Sequence, residues 1–401
     1  MKKRIVTLAL AAVMLAGITS LCCSPAQAKK ETLNVYNWGD YISDGSYGLE
    51  DVNAAFTDAT GIEVNYSTYE SNESLYTKLK TGGSSYDVII PSDYMIARMI
   101  NEGMLEKIDY SNIPNYVNVI DQFRTGEYDP SGEYTVPYLW GTVGIIYNTK
   151  YVDDVTGWSV LWDERYKDKI LMFDNPRDAF AAAEFSLGID INTESEADLR
   201  AAADFLKEQH PLVQAYVMDE VFGEMERAEA WVAPYYAGDF VTMHKENPDL
   251  AFCFPEEGFN LYVDAMCIPT SCQNKSAAEE YINFMCSFDA AYANAGYSRY
   301  GSPIKGVEDA LEFTDYERSV AYPSSDILAR GKTFLNLSAE ANELMDSLWL
   351  EVRTNGNTTG WVPYAATAAV IVIAAAALLV MKANKKKKRA ARRRANAQQD
   401  T

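Results

Sequence analysis

Histidine is almost absent from this chain: His210, beside Pro211, and His244, in Met-His-Lys-Glu, are the only two in 401 residues. Neither has a partner at metal-ligand spacing, which argues against a zinc site or a histidine-centred triad. Basic residues are scarce too, 35 lysines and arginines against 57 acids, for a formal charge of −22. The deficit deepens in the middle of the chain. The first 28 residues carry +3 and the segment from Lys382 onward carries +8, which leaves −33 on residues 29 to 360. A surface of that sign repels nucleic acid and attracts cations. A phosphate loop is also missing, because Gly331-Lys332-Thr333 has Asp326 where the first glycine belongs and no strand ahead of it.

Cysteine is sparse. Cys22 and Cys23 fall in the leader, and Cys253, Cys267, Cys272 and Cys286 crowd one later stretch without the C-x-x-C spacing of a zinc site. Outside a cell these four allow two disulfides in three connectivities, or they stay free as structural thiols. No metal and no cofactor is implied. No fixed-period repeat or low-complexity segment precedes the basic tail.

What is present begins at the two ends. Lys2, Lys3 and Arg4, the apolar run from Ile5 to Leu21 and the small-x-small Ala26-Gln27-Ala28 have the three parts of a secretory signal peptide over residues 1–28. Thr19-Ser20-Leu21, ahead of Cys22, lacks the small residue that lipid attachment usually requires. Trp361 to Met381 is a run of 21 residues without a charge, long enough for a bilayer core of about 30 Å. Nine basic residues follow from Lys382 on, which places the tail in the cytoplasm and everything before Trp361 outside.

Between these ends the pattern is α/β. Leu33 to Trp38 alternates as a strand, Leu49, Val52 and Phe56 recur at helical spacing up to Gly61, and Ile62 to Ser67 alternates again. A helix over Ser71 to Lys80, a strand over Tyr86 to Ile90 and a helix up to Gly103 complete a β-α-β-α-β-α order, the grammar of a mostly parallel sheet. The pattern changes at Pro137-Tyr138-Leu139-Trp140-Gly141, read as a crossing into a second lobe, with a strand resuming at Val143 to Tyr147. That lobe has expected strands at Ile170 to Phe173, Val213 to Val217 and within Ala230 to Tyr236, and helices from about Asp178 and over Ser195 to Glu208. Leu250 to Phe254 and Leu261 to Ile268 return toward the first lobe. Helices over Ala277 to Met285 and Ser338 to Val352 follow.

Aromatic and acidic residues gather at the predicted strand ends: Trp38 and Tyr41, Tyr94, Tyr235 and Tyr236, and Tyr262 two residues before Asp264. In open α/β sheets ligands are held at the carboxyl ends of the strands. An ammonium over an aromatic face gains about 0.5–2 kcal/mol, and a carboxylate fixes it more firmly. In Phe173-Asp174-Asn175-Pro176-Arg177-Asp178 a strand end runs into a helix start, so Asp178 falls in a first helical turn, where the dipole favours a carboxylate. Arg177 is placed to hold the acids there. A plain helix cap explains the same residues equally well.

Tyr36-Asn37-Trp38-Gly39-Asp40-Tyr41, Tyr66-Ser67-Thr68-Tyr69-Glu70-Ser71-Asn72-Glu73, Tyr86-Asp87-Val88-Ile89-Ile90-Pro91-Ser92 and Val136-Pro137-Tyr138-Leu139-Trp140-Gly141 closely resemble the spermidine/putrescine-binding proteins of bacterial ABC importers. The resemblance runs from about Leu33 to Val352. It implies a two-lobed, periplasmic-binding-protein-like fold of type II with its ligand cleft between the lobes, here with one C-terminal transmembrane helix added. The first lobe would comprise residues 29–138 and 263–302 and the second 139–262 and 303–353, with a tether at 354–360, the membrane helix at 361–381 and the cytoplasmic tail at 382–401. It also implies that Trp38, Tyr41, Ser92 and Tyr94 contact the ligand from the first lobe. Asp178 and Asp264 would each meet an amino group, and Tyr297, in Gly296-Tyr297-Ser298, would supply a further aromatic contact. Asn175 stands where the family's spermidine binder has an aspartate, Tyr235 and Tyr262 where it has tryptophans, and Leu335 replaces a polar contact. The missing carboxylate bears on ligand choice, since putrescine has two ammoniums and spermidine three.

The implied function is a membrane-tethered extracellular receptor that hands putrescine or spermidine to an ABC permease and its ATPase, with no nucleic acid partner and no chemical turnover. The alternatives are a receptor for another cationic metabolite, a secreted hydrolase using an acid pair, and a structural surface protein whose acidic face serves adhesion.

Overall fold

The computed structural model describes residues 31–83 and 85–354. The leader with Cys22 and Cys23, the tether, the apolar run Trp361 to Met381 and the basic tail lie outside the described residues. Among the described residues, no helix is long and apolar enough to cross a membrane.

The first sheet is small and parallel. Strand β1 (Thr32–Trp38) lies between β2 (Glu63–Tyr69) and β3 (Val88–Ile89). Leu33 and Val35 are fully buried, as a strand covered on both faces requires. The connections are helices with clear local causes. Helix α1 (Val52–Thr60) starts where the Asp51 side chain accepts from the Ala54 amide and stops at Gly61, whose φ of 79° needs no Cβ penalty. Helix α2 (Asn72–Thr81) is opened by a capping box between Ser71 and Ser74. Helix α3 (Asp93–Asn101) follows Ser92. The short strand β4 (Leu105–Glu106) comes next.

The second sheet has seven strands and turns on β5 (Val136–Asn148). The strand expected from Val143 starts earlier, at Val136: β5 runs through Pro137 to Gly141 as one thirteen-residue strand, buried along nearly its whole length. Along one edge it has β8 (Val232–Tyr236), with β6 (Ile170–Phe173) and β7 (Val213–Val217) beyond, and along the other it has β10 (Phe259–Met266) and then β9 (Leu250–Cys253). Its first half pairs antiparallel with β10, its second with β8 and β9. Pro137 sits where the register skips Tyr138 between the pairs Leu139↔Asp264 and Pro137↔Ala265. A bulge is one of the few places in a sheet that tolerates a missing amide hydrogen.

Strand β10 ties the two sheets together. Ser92↔Asp264 and Ile89↔Cys267 are bridges from its end to the end of β3, and β11 (Ile268–Pro269) pairs with β4. Helix α4 (Pro176–Leu187) packs on the second sheet, and α5 (Glu196–Gln209) packs against α4. Helices α6 (Ala237–Glu246) and α8 (Phe288–Ser298) are among those not expected from the sequence, while α7 (Lys275–Met285) between them was expected. In α8, Ala290, Ala291, Ala293, Asn294, Ala295 and Gly296 are all buried, so no polar stripe marks a helical period. Helix α9 (Ala339–Arg353) closes the described chain with Ser338 as its cap. All four described cysteines are free thiols, with Cys267 and Cys286 buried.

Candidate functional site

The ends of β1, β3, β6, β8 and β10 converge on one cavity of about 910 Å³ including its open mouth, within the range usual for small-ligand sites. Strand β1 delivers Trp38, and the chain then turns through Asp40, whose φ of 46° is unusual for a residue with a Cβ. The turn carries Tyr41 inward, where it is 5% exposed and its hydroxyl donates to Asp264 Oδ2 at 2.7 Å. Tyr138, the residue skipped by the β5 register, donates its hydroxyl to the Tyr41 carbonyl and holds that turn in place. After β3, Ser92 bridges to Asp264, and the Tyr94 hydroxyl donates to Glu73 Oε1 at 2.9 Å.

The opposite wall is built by β6, α4 and β8. Asn175 caps α4: its side-chain oxygen accepts from the Asp178 amide at 3.0 Å, and its amide group donates to Asp178 Oδ2. The Tyr236 hydroxyl donates to that same oxygen at 2.9 Å. Tyr235, 2% exposed, stacks on Phe173 behind it, and Tyr262 packs edge-on to Tyr236 at 5.6 Å.

Each principal acid is thus held by one oxygen and open at the other. Among the described residues, Oδ1 of Asp178 and Oδ1 of Asp264 are buried and have no hydrogen-bond partner. Ser92 and Asn260 lie close enough to favour the charged carboxylates without completing a bond of good geometry to those oxygens. A buried unpartnered polar atom is costly, so these positions are ready for a donor. Burial pushes the Asp264 carboxyl up to about 6 and raises Asp178 as well, because desolvation disfavours the charged form. Asp93 and Asp239 are pushed up to about 8 for the same reason. Among the described residues, eight carboxylates and ten aromatic rings line the cavity, and no lysine, arginine or histidine does.

Nine of the ten residues singled out from the sequence line this cavity: Trp38, Tyr41, Ser92, Tyr94, Asn175, Asp178, Tyr235, Tyr262 and Asp264. Tyr297 does not. It lies inside α8 with its ring 6.1 Å from that of Tyr47, and the chain leaves the helix only at Arg299, in a left-handed cap with φ 65°. The aromatic that enters the cavity is Tyr300, packed edge-on to Tyr41 at 5.1 Å and donating to Asp239 Oδ2 at 2.7 Å. Arg177 does not hold the acids either. It turns to Asn192 Oδ1 at 2.9 Å and the Leu335 carbonyl at 3.0 Å, with its guanidinium over the Phe334 ring. Leu335 is outside the cavity and Phe334 is in its wall.

Sequence reasoning missed Tyr300, Asp239, Asp219 and Glu73, and it noted Tyr236 only as a strand end. Two glycines carried a signal for the first. A Cβ at Gly238 would lie 2.6 Å from the Tyr300 ring, and one at Gly141 would lie 2.7 Å from the Tyr262 hydroxyl and 3.1 Å from Tyr300. Both backbones are kept bare where cavity tyrosines press on them. Among the described residues, no group of three or more histidine, cysteine, aspartate or glutamate side chains is arranged to hold a metal ion. The chemistry on offer is hydrogen-bond acceptance, negative charge and aromatic faces, which together suit a flexible cation with several ammonium groups.

A model of the family described as bacterial extracellular solute-binding protein matches residues 84–329, and one described as hypothetical lipoprotein (MG045 family) matches residues 1–119. The spermidine/putrescine-binding periplasmic protein of Salmonella typhimurium is 33% identical over 324 residues, which is 80% of this chain and 91% of that protein. The spermidine/putrescine-binding periplasmic protein 1 of Haemophilus influenzae is 34% identical over 307 residues, 75% of this chain and 83% of its own. The crystal structure of the spermidine/putrescine ABC transporter substrate-binding protein from Streptococcus pneumoniae has 33% sequence identity and a TM-score of 0.68, covering 81% of this chain and 99% of that one.

Proposed function

Because the chain belongs to the bacterial extracellular solute-binding proteins, with the periplasmic-binding-protein-like α/β fold of that family, we propose that it captures polyamines and delivers them to an ABC permease driven by a cytoplasmic ATPase. The observation that carries this reading is the pair of buried, unpartnered oxygens on Asp178 and Asp264 in a cavity lined by eight carboxylates and no basic side chain. A buried carboxylate oxygen needs a partner, and among the described residues neither Oδ1 has one. An ammonium at each end of a polyamine fills both positions, and Trp38, Tyr41, Tyr94, Tyr235 and Tyr262 give its methylenes and charges flat faces to lie on.

On this reading the walls carried by the two sheets act as two lobes of a type II receptor, and the ligand holds them closed because it binds both at once. Anchorage at the outer face follows from Trp361 to Met381 and the basic residues after it, while the match to a lipoprotein family over residues 1–119 supports Cys22 or Cys23 as an alternative anchor. Mass spectrometry of the mature protein separates these, since a lipid adds its mass to the first residue.

The function itself is tested by calorimetric titration of the full-length protein with putrescine and with spermidine. Saturable one-to-one binding of either supports the proposal. No binding of either, by protein shown to be folded by its circular dichroism, contradicts it.

A further inference from the structure

Phe334 stands where packing alone gives it little support. It lines the cleft, and it also borders a second cavity, of about 800 Å³ including its open mouth, on the far side of β10. Successive side chains of a strand point to opposite faces, so Tyr262 and Asp264 face the cleft while Leu261 and Val263 line the space behind it. Between two cavities, Phe334 is still only 3% exposed, and its ring meets that of Tyr94 edge-on at 5.8 Å. The two rings come from opposite walls. Tyr94 stands in α3, on the wall carried by the first sheet, where its hydroxyl accepts from Asn72 at 3.2 Å and donates to Glu73 Oε1 at 2.9 Å. Phe334 follows β12 (Gly331–Lys332), which pairs with β10 in the second sheet.

What fixes Phe334 is Arg177. Its guanidinium lies over the Phe334 ring, 4.5 Å from the centre, and 5.9 Å from the centre of the Tyr94 ring. The same group donates to the Leu335 carbonyl at 3.0 Å and to Asn192 Oδ1 at 2.9 Å. Asn192 completes the clamp, accepting from the Leu335 amide at 2.8 Å and donating to the Thr333 carbonyl at 2.9 Å. The backbone is thus tied on both sides of Phe334 while a cation covers its ring. Arg177 is itself buried, and a buried guanidinium is costly unless its donors and its charge are used. Glu184, two turns further along α4 and buried as well, offsets the charge. The donors go to the segment that carries Phe334.

We propose that Arg177 is a positioning residue for the cleft: with Asn192 it holds Phe334 as a latch against Tyr94, and the latch keeps the two walls closed over the ligand. The inference rests on the polyamine reading and deepens it. Arg177 needs no contact with the ligand to act in this way. Because the two rings meet only when the walls come together, losing the latch speeds opening and leaves ligand entry nearly unchanged.

The test is a double-mutant cycle on the full-length protein, with whichever of spermidine and putrescine the wild type binds. Affinity is read by calorimetric titration and the dissociation rate by stopped-flow tryptophan fluorescence. Arg177→Met and Phe334→Ala should each weaken binding roughly fivefold to twentyfold, with the loss in the dissociation rate and the association rate changed by less than about twofold. The double variant should bind no more weakly than Phe334→Ala alone, because Arg177 acts through that ring. Asn192→Ala, which removes the tie and no charge, should give a smaller loss in the same rate, and it takes the place of Arg177→Met in the cycle if that variant does not fold. Losses that multiply in the double variant, or an unchanged dissociation rate in both Arg177→Met and Asn192→Ala, overturn the latch while leaving the polyamine reading standing. Binding of neither ligand by the folded wild type overturns both.

Discussion

Two populations of acid can be compared directly in this molecule. On the outside, Asp163 lies 2.6 Å from Arg165 and Glu229 lies 2.8 Å from Arg227, and each carboxyl is held below its usual range by its arginine. In the cleft, Asp178, Asp239 and Asp264 have tyrosine hydroxyls instead, and burial holds each above its usual range. The same side chains are thus placed in opposite states. These two outer acids find a counter-ion within two residues, whereas among the described residues the cleft acids form no ion pair, which leaves room for a cation supplied by a ligand.

The contrast breaks most completely when the principal cleft acids are removed. Asp178→Ala with Asp264→Ala should abolish polyamine binding in calorimetry, since each lost partner of a buried charge costs about 2–5 kcal/mol. A hydrolase with its acids elsewhere would keep its ligand. A milder change is pH. Spermidine affinity should fall about tenfold from pH 7 to pH 5 as Asp264, at about 6, takes up the proton that the ammonium must replace.

The stability of the ligand-free protein has the opposite slope. Asp264, Asp93 and Asp239 bind protons more tightly folded than unfolded, so their contribution to stability is greatest at low pH and is lost as the pH rises from about 4 toward 8. Melting temperature measured without ligand should decline across that window to the extent these groups govern it, and the increase produced by spermidine should grow. The smallest effect is expected outside: Arg165→Ala should leave ligand affinity unchanged and barely move the melting temperature, because exposed ion pairs contribute little.

How much of this was legible beforehand differs between the fold and the cleft. The parallel β1 to β3 unit was plain because its helices carry their own punctuation, Ser71 at a cap and Gly61 at a stop. The course of β5 was not. Pro137 is accommodated by a bulge at Tyr138, which exists only once β10 lies alongside. Helix α8 was silent because alanine and glycine buried on all sides leave no period to read. In the cleft, Trp38 and Asp178 could be found because one ends a strand and the other falls in a first helical turn, whereas Asp264, inside β10, was picked out with Tyr262 two residues before it. Tyr297 was chosen by its neighbours in sequence, but the left-handed cap at Arg299 carries the chain three residues further before Tyr300 reaches the cavity. Asp239 had only Gly238 to announce it, and the reason for that glycine is visible only with the Tyr300 ring in place.

The claim that cleft acids stand in for an absent cation is tested most directly by proton exchange on binding, read by titrating spermidine into the full-length protein at pH 7 in two buffers of different ionisation enthalpy. The account predicts saturable binding with net release of protons, because an ammonium beside Asp264, at about 6 when empty, and Asp178, raised by burial as well, draws both toward the charged state. Binding whose heat is the same in both buffers would contradict it.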